Sequence, residues 1–228
     1  MVTIEARSDV KQAAFFDLEK TLTAQAAEQA CALMLARRRQ LPVSSLLRVL
    51  AIYLKYNLGL IADFDAMKRS GAQIFVGRRP DRDVALAQAL FDERLHRFIF
   101  PEAERLVRGF RERGIPVYIV SSTYRFIVAP YARHLGATDY YGCELEAVDG
   151  VCTGRIIGTI YHQEHKAAVV QEIAQRDGVS LAHSYAFGDS LNDRPMLECV
   201  GHPVAVNPGG KLRRIAEARG WRIARWRA

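Results

Sequence analysis

Four short stretches of the chain carry side chains whose chemistry would combine if the fold brought them together. They are FFDLEKTLT (Phe15 to Thr23), IVSS (Ile119 to Ser122), the pair His165-Lys166 and GDSLND (Gly188 to Asp193). Each alone reads as turn chemistry, because Asp, Asn, Ser and Gly favour turns for local hydrogen-bonding reasons. In this order and spacing they form a set that includes the carboxylates of Asp17, Asp189 and Asp193, the hydroxyls of Ser121 and Ser122, and the ammonium of Lys166. A carboxylate that attacks a doubly charged phosphate monoester must overcome repulsion, so it needs a cation beside it. Asp17 and Asp189 are the residues to hold one. An oxygen donor set of this kind suits Mg²⁺. With Asp17 as nucleophile, an acyl phosphate splits one hard displacement into two easier ones.

The surrounding text explains how such residues would meet. Ala13 to Asp17 is a short apolar run ending in an acid, as expected of a buried strand delivering Asp17 to the carboxyl edge of a parallel sheet. From Thr23 to about Pro101 the pattern turns helical, in AAEQACALMLARRR, SSLLRVLAIYLKYNLGLIADFDAMKR and PDRDVALAQALFDERLHRFI, with no convincing strand. Alternation resumes with a helix from Glu102 to Arg113, a stop at Gly114 and a strand from Pro116 to Val120 ending at Ser121. Asp149-Gly150 between β-prone runs predicts a hairpin. A helix from Glu164 to Asp177 and strands at Ser184 to Phe187 and Pro203 to Val206 complete the series. The expectation is an α/β chain: residues 1–22 and 102–228 as a Rossmann-like parallel-sheet core, residues 23–101 as an inserted all-helical domain.

Together, the four motifs, the position of the helical insertion, the LEAVDGVCTG hairpin and GDSLNDRPML resemble the haloacid dehalogenase superfamily. The likeness is greatest to its phosphoserine-phosphatase-like subfamily, which carries a helical cap after the first motif. The resemblance implies a Mg²⁺-dependent phosphatase with a phosphoaspartate at Asp17. It assigns metal contacts to Asp17 and Asp189, to the backbone carbonyl of Glu19 and to Asp193, the last through water. Ser121, Ser122, Lys166 and Asn192 would bind the phosphoryl group, Ser121 ahead of Ser122 because it follows the apolar strand directly. Two positions depart from the pattern. Glu19 stands where the subfamily places an aspartate that serves as acid and base, and Ala26 stands where phosphoserine phosphatases carry an acid that meets the substrate ammonium. The first opens the alternative of a weakly active or inactive ligand-binding homologue, with Glu19→Asp expected to preserve or raise turnover. The second argues against phosphoserine as substrate.

The substrate is therefore expected to be a small phosphorylated metabolite. The apolar stretch LLRVLAIYLKYNLGLI keeps a lipid or polyol phosphate open as the alternative, and phosphotransfer to an alcohol uses the same residues. The net charge of +7 favours anionic partners without choosing one. A nucleic-acid role has only the basic tail with Trp221 and Trp226 behind it, and no recognition module; packing is the expected role of both tryptophans. The four cysteines show no metal-binding or disulfide spacing, and neither a signal peptide nor a membrane span is read, which predicts a cytoplasmic protein. Thr21 is expected to cap the turn after Asp17, and His162 and His165 to shape a loop and helix start.

Overall fold

The computed structural model describes residues 4, 10–39, 47, 51, 52, 54 and 63–227. Much of the apolar stretch in the helical insertion thus lies outside the described residues. Among the described residues the sheet has seven strands: β1 (Ala14–Phe16), β2 (Val117–Tyr124), β3 (Asp139–Val148), β4 (Val151–Ile157), β5 (Tyr185–Gly188), β6 (His202–Val206) and β7 (Arg222–Ala224). Their spatial order is β4-β3-β2-β1-β5-β6-β7, parallel throughout except for the β3–β4 hairpin. At the hairpin turn Asp149 (φ 51°) and Gly150 (φ 75°) are both left-handed, the conformation such two-residue turns require.

β1 is the centre of the sheet, and its AFF sequence is buried on both faces. Phe16 stacks on Phe187 at 4.2 Å between ring centres and packs towards α4 (Pro101–Glu112), whose Phe110 meets both rings. Phe15 points to the opposite face and stacks on Tyr118. That face is covered by α6 (Glu164–Asp177), α7 (Arg194–Glu198) and α8 (Gly210–Ala218) through Val170, Ile173, Met196, Leu197 and Leu212. The first face is shared by α4, α5 (Arg125–Leu135) and the helices that follow β1, in one continuous apolar cluster.

Among the described residues those helices include α1 (Ala27–Arg37), α2 (Phe64–Ala72) and α3 (Pro80–Glu93). The chain leaves the sheet and returns to it along two paired segments: Phe100 N–H donates to Leu22 O (3.0 Å) and Ala24 N–H to Phe98 O (2.9 Å), with Thr23 bridged to Ile99. α2 rests on the hairpin, where Arg69 Nη1 donates to Ile156 O (3.2 Å) and Gln73 Nε2 to Gly154 O (2.9 Å). The expected α/β architecture with inserted helices is present. β2 runs further than the apolar run implied, through Ser121 to Tyr124, because an irregularity after Val120 lets pairing with β3 resume at Cys143. Among the described residues no helix is long and apolar enough to cross a membrane. The tail forms β7, and Trp226 packs against Phe100 and Phe187 as expected of a core residue.

Candidate active site

Asp17 leaves β1 with its N–H donated to Phe187 O (2.9 Å), so the parallel pairing of β1 and β5 fixes its position beside the start of the GDSLND turn. From the other direction, α6 carries Lys166 under the same edge. The Lys166 ammonium donates to Asp17 Oδ1 and to Asp193 Oδ1, both at 2.6 Å, and all three side chains are at least nine-tenths buried. Asp193 is held in turn by its second oxygen, which accepts from Asp189 N–H (3.1 Å), Ser190 N–H (3.0 Å) and Ser190 Oγ (3.0 Å). The turn is shaped around that carboxylate.

Asp17, Asp189 and Asp193 can bring one oxygen each within 4.8 Å of the others. Asp17 and Asp193 share the Lys166 ammonium and Asp189 lies beside them, which leaves an excess of negative charge in a largely buried place. Burial, offset in part by Lys166 and reinforced by Asp193, raises the Asp17 carboxyl to about 7. Burial and then the charges of Asp17 and Asp193 raise that of Asp189 to about 8. Lys166 is raised as well: burial opposes its charge, but Asp17 and Asp193 outweigh that cost. The crowded oxygens are what a hard divalent cation requires: oxygen donors, little competing nitrogen or sulfur, and charge left to neutralise.

On the neighbouring strand Ser121 is buried, and its Oγ accepts from Thr123 N–H (3.1 Å), which leaves the hydroxyl proton available to an anion. Ser122 is half-buried, its carbonyl accepting from Cys143 Sγ (3.0 Å). Asn192 is half-buried too, and its carbonyl accepts from Gln163 N–H (2.9 Å) at the start of α6. Glu19 Oε1 accepts from Thr123 Oγ1 (3.2 Å) and from Glu28 N–H in the first turn of α1 (3.3 Å). Burial and the nearby Glu28 charge push its carboxyl upward, against the pull of Lys68. All eight sequence-derived residues thus come from the carboxyl side of β1, β2 and β5 and the start of α6.

Thr123, Glu28 and Lys68 join the site without a motif to announce them, and Ser190, inside GDSLND, joins it as a partner of Asp193. Thr21 does not cap the turn: among the described residues its buried Oγ1 has no hydrogen-bond partner, and Thr23 Oγ1 instead donates to Phe98 O (3.2 Å). His162 was expected to shape a loop, and it also pairs with Asp65 of α2 (3.4 Å) and stacks on Phe64.

Comparison with known proteins decides the family, since a haloacid dehalogenase-like hydrolase profile matches residues 14–198. The chain belongs to the haloacid dehalogenase-like hydrolases. The phosphoserine phosphatase SerB1 of Mycobacterium tuberculosis is 34% identical over 222 residues, spanning 96% of this chain and 72% of that protein. A Bordetella pertussis Tohama I protein of unknown function superimposes with a TM-score of 0.84 at 30% identity, covering 94% of this chain and 98% of its own. A substrate-bound phosphoserine phosphatase superimposes with a TM-score of 0.70 at 20% identity, over 94% and 92% of the two chains, a likeness of fold. Within the superfamily the chain falls among the phosphoserine-phosphatase-like members and is a phosphatase.

Proposed function

We propose that the chain is a magnesium-dependent phosphomonoester hydrolase working through a phosphoaspartate at Asp17, on a small phosphorylated metabolite other than phosphoserine. The observation that carries this reading is the buried contact of Lys166 with both Asp17 and Asp193, with Asp189 completing the acidic cluster. The cation would be held by Asp17, Asp189 and the Glu19 carbonyl, with Asp193 through water. When bound, it supplies positive charge beside the phosphate.

The protein groups then have separate tasks. Asp17 attacks phosphorus, and the bond to the leaving oxygen breaks. Glu19 gives its proton to that oxygen, then takes one from the water that cleaves the acyl phosphate. Ser121, Ser122 and Asn192 donate to the phosphoryl oxygens, and Lys166 offsets the charge on Asp17 and the phosphoryl group. Residues 23–101 act as the cap, limiting water and shaping the leaving-group side, over a core of residues 1–22 and 102–228. Ala26, the residue before α1, supplies no carboxylate for a substrate ammonium, which supports a substrate other than phosphoserine.

Phosphate release from phosphoserine, sugar phosphates, glycerol phosphates and lysophosphatidic acid, with Mg²⁺, with EDTA and with Asp17→Asn, tests the reading. Turnover that needs both the metal and Asp17 is expected on a small polar ester. Turnover on phosphoserine alone overturns the substrate assignment, and turnover in Asp17→Asn overturns the mechanism.

A further inference from the structure

Glu19 is longer by one methylene than the aspartate it resembles, and the structure shows where the extra reach goes. α1 begins at Ala27 after Ala26, a residue that makes no side-chain capping bond. The first N–H groups of a helix need acceptors. Glu19 Oε1 supplies one to Glu28 N–H from outside the helix, while the same oxygen accepts from Thr123 Oγ1 on β2. The Glu28 side chain accepts in turn from Lys68 of α2, whose own side chain is only 3% exposed. The Lys68 ammonium lies 4.6 Å above the ring of Tyr124, the neighbour of Thr123.

The contacts thus run from Thr123 through Glu19, Glu28 and Lys68 back to Tyr124, starting and ending on adjacent residues of one strand. Four separate pieces of the fold take part: the loop after β1, α1, α2 and the end of β2. A buried lysine is uncommon without such pairing.

We propose that Glu28 and Lys68 are positioning residues that hold the Glu19 carboxyl towards the leaving oxygen of the substrate. The proposal rests on the phosphatase reading and on Glu19 as its acid. The Glu28–Lys68 pair acts through α1: it fixes the start of the helix and with it the Glu28 N–H that Glu19 Oε1 accepts from. Without the pair that amide can shift, leaving the carboxyl held firmly only at Thr123, and a displacement near 1 Å costs about 10²-fold in rate. Such a loss falls unevenly across substrates. An alkoxide leaving group needs a proton as it departs, whereas p-nitrophenolate leaves without one.

The test measures kcat and KM for p-nitrophenyl phosphate and for an alkyl phosphate the enzyme turns over, in the full chain and in Lys68→Met, Lys68→Arg and Glu28→Gln. In Lys68→Met and Glu28→Gln, kcat for the alkyl ester is expected to fall at least tenfold further than for the aryl ester, with KM little changed. Lys68→Arg is expected to recover most of the difference. Equal losses on both esters, or a change confined to KM, overturn the proposal, because a merely structural role or substrate binding would then account for the pair. Glu28→Gln keeps the side chain's size, so it carries the test if Lys68→Met does not fold. Failure of the underlying reading looks different: Asp17→Asn, with Glu28 and Lys68 intact, would keep the turnover of the unsubstituted enzyme.

Discussion

Lys166 divides its ammonium between Asp17 Oδ1 and Asp193 Oδ1 at the same 2.6 Å, so one cation on α6 fixes two acids from opposite ends of the sequence. Removing it leaves both carboxylates buried without their common partner. In Lys166→Met, kcat is expected to fall by about 10²- to 10³-fold, the scale of losing one charge-stabilising donor in a dry site. Steady-state kinetics on the best panel substrate measure this, with near-ultraviolet circular dichroism confirming the fold. A loss below tenfold would mean the lysine is only a structural counter-ion.

Two acids of this cluster were legible in the sequence because each follows a short apolar run, and parallel pairing puts the ends of such runs on one edge; Lys166 and Asp193 were legible only through their order and spacing relative to these two. Asp17 after AFF and Asp189 after YAFG are of this kind. The contacts of Glu19 were not legible. Thr123 is 104 positions away along the chain, and it reaches the site only because β2 continues past an irregularity that no residue type signals. Lys68 in MKRS reads as an ordinary solvent-facing lysine, and only the packing of α2 over Tyr124 buries it. Pairing between helices depends on their docking angle, which neither periodicity nor capping residues encode.

Gly188 is needed for space. A β-carbon there would lie 2.3 Å from Cβ of Asp193, the residue whose carboxylate organises the GDSLND turn. Gly188→Ala must push Asp193 away from Lys166 and from the amides of Asp189 and Ser190. Overpacking of this kind costs about 1–3 kcal/mol. Chemical denaturation should show a loss in that range, and activity should fall by a larger factor than stability because the displaced group lies in the site. Unchanged activity would show that the turn can relax without moving the carboxylate.

Trp226 tests the tail. Its ring is 8% exposed and packs between Phe100, where the inserted helices rejoin the core, and Phe187 beside β1. Trp226→Ala should destabilise the protein by about 3–5 kcal/mol, as expected for emptying a large aromatic site. Preference among phosphate esters should stay as it was, since the ring makes no contact with the motif side chains among the described contacts. Loss of binding to nucleic acid with stability intact would instead give the tryptophan a recognition role.

The acidic cluster sets how stability responds to pH and to magnesium. Asp17 rises from 3.8 to about 7 on folding and Asp189 from 3.8 to about 8, so without metal the folded state holds more protons than the unfolded chain between pH 4 and 8. Stability contributed by these groups is then present below pH 4 and is lost as pH rises through 7 and 8. A bound divalent cation reverses the slope, because it needs the same oxygens deprotonated and offsets their repulsion. Thermal melts at pH 5.5, 7 and 8.5, each with EDTA and with Mg²⁺ in excess, should show the gap between the two curves widening with pH. Asp189→Asn should raise the EDTA melting temperature at pH 8.5, since it removes a charge the fold holds at a cost, and should shrink the gap produced by Mg²⁺. A gap that is the same at all three pH values, or that survives Asp189→Asn in full, would place the metal elsewhere than among these carboxylates.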